Sequence, residues 1–318
     1  MDVADLQREI ELDLAGARRR YQKVILEPQV MRDLAAGSPG LAVRLFLATH
    51  PCTPGRIVER LTLDEDPAVL AAVASHPRLP SSMQQQLLRH EDERVRLALA
   101  GSRSMSNSAF ALILANDVSW RVRVCLAGNG AIGPRVQAIL SDDPLPLVRG
   151  ALLSHPRLDE EILGVLCDDS DFLVRLRAAS APKLPTDVLR RLAQGDEELL
   201  QLAVARRRQL PPTIVSALCR SRHARVQREI LSRQELGEEE LMVFARTGDE
   251  ALRLELAGRA ALPMSLQRVL SQDASLPVRC RLCGNASLDD GVAVFMAVGG
   301  NPAILEALAA NPGESSED

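Results

Sequence analysis

Every 26 residues along this chain an aliphatic side chain returns to the same place: Val43, Val69, Val95, Val122, Val148, Val174, Leu200, Val226, Leu252, Val278 and Ile304, with one spacing of 27 before Val122. A fixed period of about 20–50 residues is the signature of a solenoid, in which each repeat touches its neighbours and the fold lengthens without closing a single core. That constraint overrides the two-domain division that 318 residues would otherwise suggest.

With the periodic residue as position 0, position +4 is aliphatic or alanine throughout, as at Leu47, Val73, Leu99, Leu126 and Leu152. Position +5 is mostly small, as at Ala48, Ala74, Ala100, Ala127, Ala205 and Ala257. A spacing of four puts residues on one helix face, and small neighbours let a second helix approach. Position −3 carries side chains that accept from free N–H groups of a first turn: Asp66, Asp92, Ser119, Asp171, Asp249, Ser275 and Asn301. A first helix is therefore expected from about −2 to +7, stopped by the proline that often stands at +8, as at Pro51, Pro77, Pro156, Pro182 and Pro312.

A second helix opens at Leu-Pro pairs such as Leu184-Pro185 and Leu262-Pro263 and carries its own stripe. Ile57, Val136, Val188 and Leu266 stand at +14, and Leu61, Leu87, Ile113, Leu140, Leu166 and Leu218 at +18. It has little more than two turns, so the sequence leaves α and 3₁₀ geometry open. The expected fold is an all-α solenoid of about eleven helical hairpins. Residues 1–37 depart from the repeat but place Leu6, Ile10 and Leu14 on one helix face and Val30 and Leu34 on another, which reads as an N-terminal helical cap. The solenoid then covers 38–312, and the acidic residues 313–318 read as a disordered tail.

Aromatic residues make up only 2% of the chain, so the core must be aliphatic. The net charge of −4 draws the chain toward neither nucleic acid nor anionic lipid. No stretch is apolar enough to span a membrane, and no basic-then-apolar leader opens the chain, so a cytoplasmic protein is expected. Six cysteines scattered at repeat positions suggest reduced, buried thiols.

Val148-Arg149 through His155-Pro156, Leu158, Leu166 and Asp169, and Val174-Arg175 through Pro182, Leu184-Pro185 and Leu192, carry a pattern that resembles the leucine-rich repeat variant family. The resemblance covers about residues 38–312, although HEAT-type repeats share the Val-Arg pair and the acidic loop. It implies α- and 3₁₀-helices alternating in a right-handed superhelix, and no enzymatic activity. Some members of that family hold an iron–sulfur cluster in a cysteine-rich N-terminal segment. Residues 1–51 contain no cysteine, so the cluster is not carried over and no cofactor is expected.

Three sets of residues invite functional readings. Arginine follows position 0 at Arg44, Arg96, Arg123, Arg149, Arg175, Arg253 and Arg279. Such a ladder can grip phosphates, or it can pair with loop residues such as Asp64, Asp143, Asp169 and Asp273; because it recurs with the repeat, the structural reading is preferred. A denser group, Arg206, Arg207, Arg208, Arg220, Arg222, Arg225, Arg228 and Arg233, falls where Gln201 and Gln227 replace the ladder arginines, and is the best candidate for an anion-facing patch. The competing reading is a solvated face balanced by Glu238, Glu239 and Glu240. Position +7 holds His50, His76 and His155, with Asn129, Asn285 and Asn311 or Arg207, Arg233 and Arg259 elsewhere. An interchange of His, Asn and Arg suits a helix C-terminal cap better than catalysis or metal binding.

Cys280 and Cys283 form a lone CxxC without the further ligands that zinc requires, so no metal site is expected. No GxGxxG, GxxxxGK[ST], HExxH or GxSxG occurs. The sequence thus points to a non-enzymatic helical-repeat scaffold that binds another protein. The alternative is a solenoid that contacts nucleic-acid phosphates through arginines.

Overall fold

The computed structural model describes residues 2–37, 39–103, 105, 108–233 and 236–311; the expected tail at 313–318 lies outside them. Among the described residues there are 24 helices and no strand. The chain forms two compact units, Met1–Ala178 and Ala179–Asp318.

Unit 1 opens with α1 (Val3–Leu12), α2 (Leu14–Tyr21) and α3 (Pro28–Leu34). First helices then alternate with second helices: α4 (Leu41–Thr49), α5 (Gly55–Leu61), α6 (Pro67–Ala74), α7 (Ser81–Leu87), α8 (Glu93–Ala100), α9 (Ser108–Leu114), α10 (Trp120–Ala127), α11 (Pro134–Ser141), α12 (Pro146–Leu152), α13 (Glu160–Cys167) and α14 (Phe172–Ala179). Unit 2 continues with α15 (Thr186–Gln194), α16 (Glu198–Ala205), α17 (Pro212–Cys219), α18 (Ala224–Leu231), α19 (Glu238–Thr247), α20 (Glu250–Ala257), α21 (Met264–Ser271), α22 (Leu276–Cys283), α23 (Asp290–Val298) and α24 (Pro302–Ala309). First helices α4, α6, α8, α10 and α12 pack in succession in unit 1, as do α16, α18, α20, α22 and α24 in unit 2; second helices α9, α11 and α13, and α15, α17, α19, α21 and α23, pack likewise, which is the packing of a helical-repeat solenoid. The second helix, left open between α and 3₁₀ by the sequence, is α in every repeat.

Burial follows the repeat. Val43, Val69, Val95, Val122 and Val148 are fully buried in unit 1, as are their +4 partners Leu47, Val73, Leu99, Leu126 and Leu152; Val226, Leu252 and Val278 are equally enclosed in unit 2. Each such side chain contributes roughly 1.5–3 kcal/mol on leaving water. The cap is helical as expected: α1 and α2 pack on α4, with Leu6, Ile10, Met31 and Leu34 buried and Leu14 and Val30 only half-buried. Position −3 caps as expected. Asp66, Asp92, Ser119 and Asn301 each accept from the N–H two residues on, Asp171 from Leu173 N, and Asp249 and Ser275 from the N–H three residues on.

Two details differ from the sequence reading. Most first helices end at +5 rather than +7, because the N–H at +7 turns back to the carbonyl at +4, as in His76 N to Val73 O, Asn129 N to Leu126 O and Asn285 N to Leu282 O. Ile113 is not a core residue: it is 43% exposed, and its neighbour Leu114 is fully buried instead. The extra residue of the 27-residue repeat falls before α9, so the core position there is the one eight residues ahead of Val122.

Candidate binding surface

The +1 arginines are occupied by the fold. Arg44–Asp64, Arg96–Asp117, Arg123–Asp143, Arg149–Asp169 and Arg253–Asp273 form ion pairs at 2.6–2.8 Å. In each the guanidinium also reaches the carbonyl of the preceding loop, as in Arg123 to Asp117 O at 2.6 Å and Arg149 to Asp143 O at 2.7 Å. The carboxylate in turn accepts from the N–H two residues on, as Asp143 does from Leu145 and Asp169 from Asp171. Each arginine therefore ties one loop's main chain to the next loop's carboxylate. The Arg149 guanidinium holds the Asp169 carboxyl below the usual carboxylate range, and Asp169 raises Arg149 in turn. Side chains only about a tenth exposed, as in the Arg149 and Asp169 pair, are poorly placed to grip an external phosphate.

Position +7 forms a second ladder, one the sequence reading saw only as a local cap. Its side chain donates to the main-chain carbonyl at +7 of the preceding repeat: His76 to His50 O, Asn129 to Ser102 O, His155 to Asn129 O, Arg207 to Ala181 O, Arg233 to Arg207 O, Arg259 to Arg233 O, Asn285 to Arg259 O and Asn311 to Asn285 O. Histidine and asparagine also accept, through Nδ1 or Oδ1, from the N–H at +9, as His76 does from Arg78 and Asn129 from Ala131. A histidine that donates from Nε2 and accepts at Nδ1 is neutral. Burial accordingly pushes the pKa of His50, His76 and His155 down. Arginine has no acceptor, so at Arg207 and Arg259 the N–H groups of Gln209 and Ala261 at +9 lose that anchor. Ala261, at +9 after Arg259, has a φ of 52°, the one positive value at a non-glycine among the described residues. The loops after Arg207 and Arg233 border a cavity of about 640 Å³.

The eight clustered arginines have different surroundings. Arg206, Arg207, Arg208 and Arg233 line that cavity together with Glu229 and Glu240 and an apolar wall of Leu210, Pro212, Val215 and Leu236. Arg207 and Arg233 are half-buried in the +7 ladder, and Arg206 stands 3.5 Å from Glu229. Arg222 meets Asp196 at 3.3 Å and Arg225 meets Glu198 at 3.6 Å. Arg220 borders a separate cavity and bonds to Ser216 of its own helix. Arg208 and Arg228 are exposed and have no ion-pair or hydrogen-bond partner among the described residues.

Gln201 and Gln227 replace more than an arginine. Gln201 donates to Gly195 O at 2.7 Å, six residues back, where Arg149 donates to Asp143 O. Its Oε1 accepts from the Ser221 hydroxyl, and Ser221 accepts from His223 N as Asp169 does from Asp171 N. The ion pair has been exchanged for a neutral pair at both ends.

Three of the six thiols expected to be buried are so, at Cys167, Cys219 and Cys283, whereas Cys52, Cys125 and Cys280 are half-buried. Burial pushes Cys219 up to about 12 and Cys283 up to about 11. Among the described residues no three His, Cys, Asp or Glu side chains gather to hold a metal ion.

One surface escaped the sequence reading. Val118 and Trp120 at the start of α10, Leu145 and Leu147 at the start of α12, and Phe172 and Leu173 at the start of α14 are 36–93% exposed. They crown the N-terminal ends of three consecutive first helices in unit 1, and with helices about 8–10 Å apart the stripe extends roughly 20 Å. Arg121 and Arg175 stack over Trp120 and Phe172 at its edges. Part of the signal was available: at positions −2 and −1 these repeats carry Trp120, Leu147, Phe172 and Leu173, where Glu93 and Arg94 stand in the preceding repeat.

No helix among the described residues is long and apolar enough to cross a membrane. No protein-family model matches the chain, and no curated protein matches it either.

Proposed function

We propose that this chain is a non-enzymatic helical-repeat scaffold, built on repeats like those of the leucine-rich repeat variant family, that binds another protein in the cytoplasm. The exposed stripe of Val118, Trp120, Leu145, Leu147, Phe172 and Leu173 carries this reading. A contiguous apolar surface on a folded protein marks an interaction site. Four of its six side chains are aliphatic, which suits a protein face, and the rings of Trp120 and Phe172 are already covered by Arg121 and Arg175, whereas single-stranded nucleic acid stacks on successive open aromatics. The phosphate reading has less support, because five of the seven +1 guanidiniums are already engaged by aspartates. Six unpaired cysteines fit a reducing compartment.

The test is capture from native lysate after nuclease treatment, comparing the wild type with a Leu147→Asp/Leu173→Asp variant. Both side chains are more than half exposed, so the variant is expected to fold. A defined protein retained by the wild type and lost from the variant supports the reading. Equal capture by both, or capture of nucleic acid alone, refutes it.

A further inference from the structure

Two successive repeats of unit 2 carry a neutral pair of side chains at +1 and +21, and only one of these pairs meets. Five repeats pair a +1 arginine with an aspartate of the following loop, whereas Leu70/His90, Arg175/Gly195 and Arg279/Gly299 have no aspartate there; Gln201 meets Ser221 and that gap closes. In the next repeat the equivalents are Gln227 and Thr247, and they do not meet. Gln227 donates to Cys219 O at 3.2 Å, and the Thr247 hydroxyl donates back to Val243 O of its own helix. A cavity of about 920 Å³ lies over this vacancy, with Gln227 and Thr247 among its lining residues.

The cavity is a groove along α19. Glu239, Met242, Val243 and Arg246 stand at i, i+3, i+4 and i+7, the spacing of one helix face, and all four line it. Arg220 lines it as well, at the end of α17, and occupies the same repeat position as Arg246. The groove therefore has an acidic end at Glu238 and Glu239, an apolar middle at Met242 and Val243, and a basic end at Arg246. Ten helical residues extend about 15 Å.

We infer that this groove receives a short helix of a partner protein whose exposed side chains run acidic, apolar, basic from its N-terminus, lying antiparallel to α19. This rests on the protein-binding reading above. Charge order selects the occupant: the partner's acidic end faces Arg246, and its basic end faces Glu238 and Glu239. Acidic residues near a helix N-terminus and basic ones near its C-terminus also suit the partner's own dipole. A continuous polyanion would meet the two glutamates at one end, so nucleic acid fits poorly. Supplying the repeat's missing ion pair would fill the groove floor.

The probe is a fluorescent, acetylated helical peptide, Glu-Glu-Ala-Leu-Met-Ala-Leu-Ala-Arg-Arg, followed by anisotropy on the full chain. The control has the same composition with its charges at the centre and its apolar residues at both ends. The wild type should prefer the probe by about tenfold or more, and Arg246→Glu should remove that preference, as expected for electrostatic complementarity. Glu239→Arg/Arg246→Glu should restore it, because the peptide can bind turned end for end. Gln227→Arg/Thr247→Asp should keep the melting temperature and abolish binding by restoring the ladder. Equal binding of probe and control by the wild type, a double charge swap that stays inactive, or undiminished binding by a folded Gln227→Arg/Thr247→Asp variant would each overturn the inference. So would displacement of the probe by an oligonucleotide that this variant fails to bind. If the peptide fails while Leu147- and Leu173-dependent protein capture persists, the groove assignment falls and the scaffold reading stands.

Discussion

The exchange of an ion pair for a neutral pair at Gln201 and Ser221 makes a quantitative prediction for Arg149 and Asp169. Arg149 reaches Asp169 through Nε at 2.7 Å and Nη2 at 2.6 Å, and donates to Asp143 O at 2.7 Å. Asp169 also accepts from Asp171 N at 2.8 Å. Removing the guanidinium in Arg149→Ala strands a nearly enclosed carboxylate and a main-chain carbonyl, and breaking such a pair from one side costs about 3–5 kcal/mol. Arg149→Gln keeps a donor for Asp143 O but leaves the carboxylate uncompensated, so it should cost nearly as much. Asp169→Ser should be similarly costly, since Arg149 then keeps its charge in a site only a tenth exposed.

The double variant Arg149→Gln/Asp169→Ser behaves differently, because each new residue has a structural precedent in this chain. Glutamine can bond the carbonyl six residues back, as Gln201 does to Gly195 O, and a serine hydroxyl can accept from the N–H two residues on, as Ser221 does from His223. The double variant should stay within about 1–2 kcal/mol of wild type, against about 6–10 kcal/mol for the two single losses added together, a favourable coupling of at least about 4 kcal/mol that exceeds the usual range for residues in direct contact because each single variant strands a charge. Urea unfolding followed by far-ultraviolet circular dichroism measures all four proteins. A double variant whose loss equals the sum of the two single losses would refute the claim that the neutral pair is a structural equivalent of the ion pair.

Asn129→Ala should cost about 2–4 kcal/mol, because Ala100 O, Ser102 O and Ala131 N all lose their side-chain partner in a buried site, whereas Asn129→His should cost under about 1 kcal/mol; urea midpoints separate the two. His50, His76 and His155 have folded pKa values below the ordinary 6.5, so the folded state binds fewer protons than the unfolded one. The stability they bring is complete above about pH 6.5 and is lost as pH falls below it toward the folded values, and replacing all three by Asn should flatten the melting temperature between pH 7 and 5. Cys219 and Cys283, with thiols pushed up to about 12 and about 11, should react with Ellman's reagent at pH 8 only after unfolding, and immediate labelling of both would contradict their enclosure.

The periodic core, the helix starts and the −3 caps were legible because each is a local rule repeated along the chain: an oxygen at −3 serves an N–H two or three residues away whatever lies elsewhere. The +7 ladder was only half legible. Interchange of His, Asn and Arg indicated a cap, but the carbonyl being capped is a repeat away, and stacking alone brings it near. Ile113 was misplaced for a related reason, since counting forward from Val95 ignores where the extra residue enters, whereas counting back from Val122 selects Leu114. The paired exchange of Arg and Asp for Gln201 and Ser221 was readable from positions +1 and +21 taken together. The apolar stripe was missed because attention to recurring positions passes over −2 and −1, which vary.

Those varying positions are where a repeat protein has freedom to acquire a partner. A side chain that carries the stack from one repeat to the next is held by two neighbours at once, so His76, Asn129 or Arg149 cannot be reassigned to a ligand without loosening the solenoid. Arginine at +7 is the instructive intermediate. Arg207 and Arg259 still bond the preceding +7 carbonyl, so stacking continues, yet they release the +9 N–H that His and Asn retain. The result is a pair of more basic loops, after Arg207 and Arg259, that border cavities without breaking the ladder. Converting Arg207, Arg233 and Arg259 together to Asn should therefore leave the solenoid at least as stable, because Asn fills the same slot at Asn129, Asn285 and Asn311 and recovers the +9 anchor. It should also slow amide exchange at Gln209 and Ala261 toward that at Ala131. Faster exchange at those two amides, or a fall in melting temperature, would show that the guanidiniums and not the slot hold these loops.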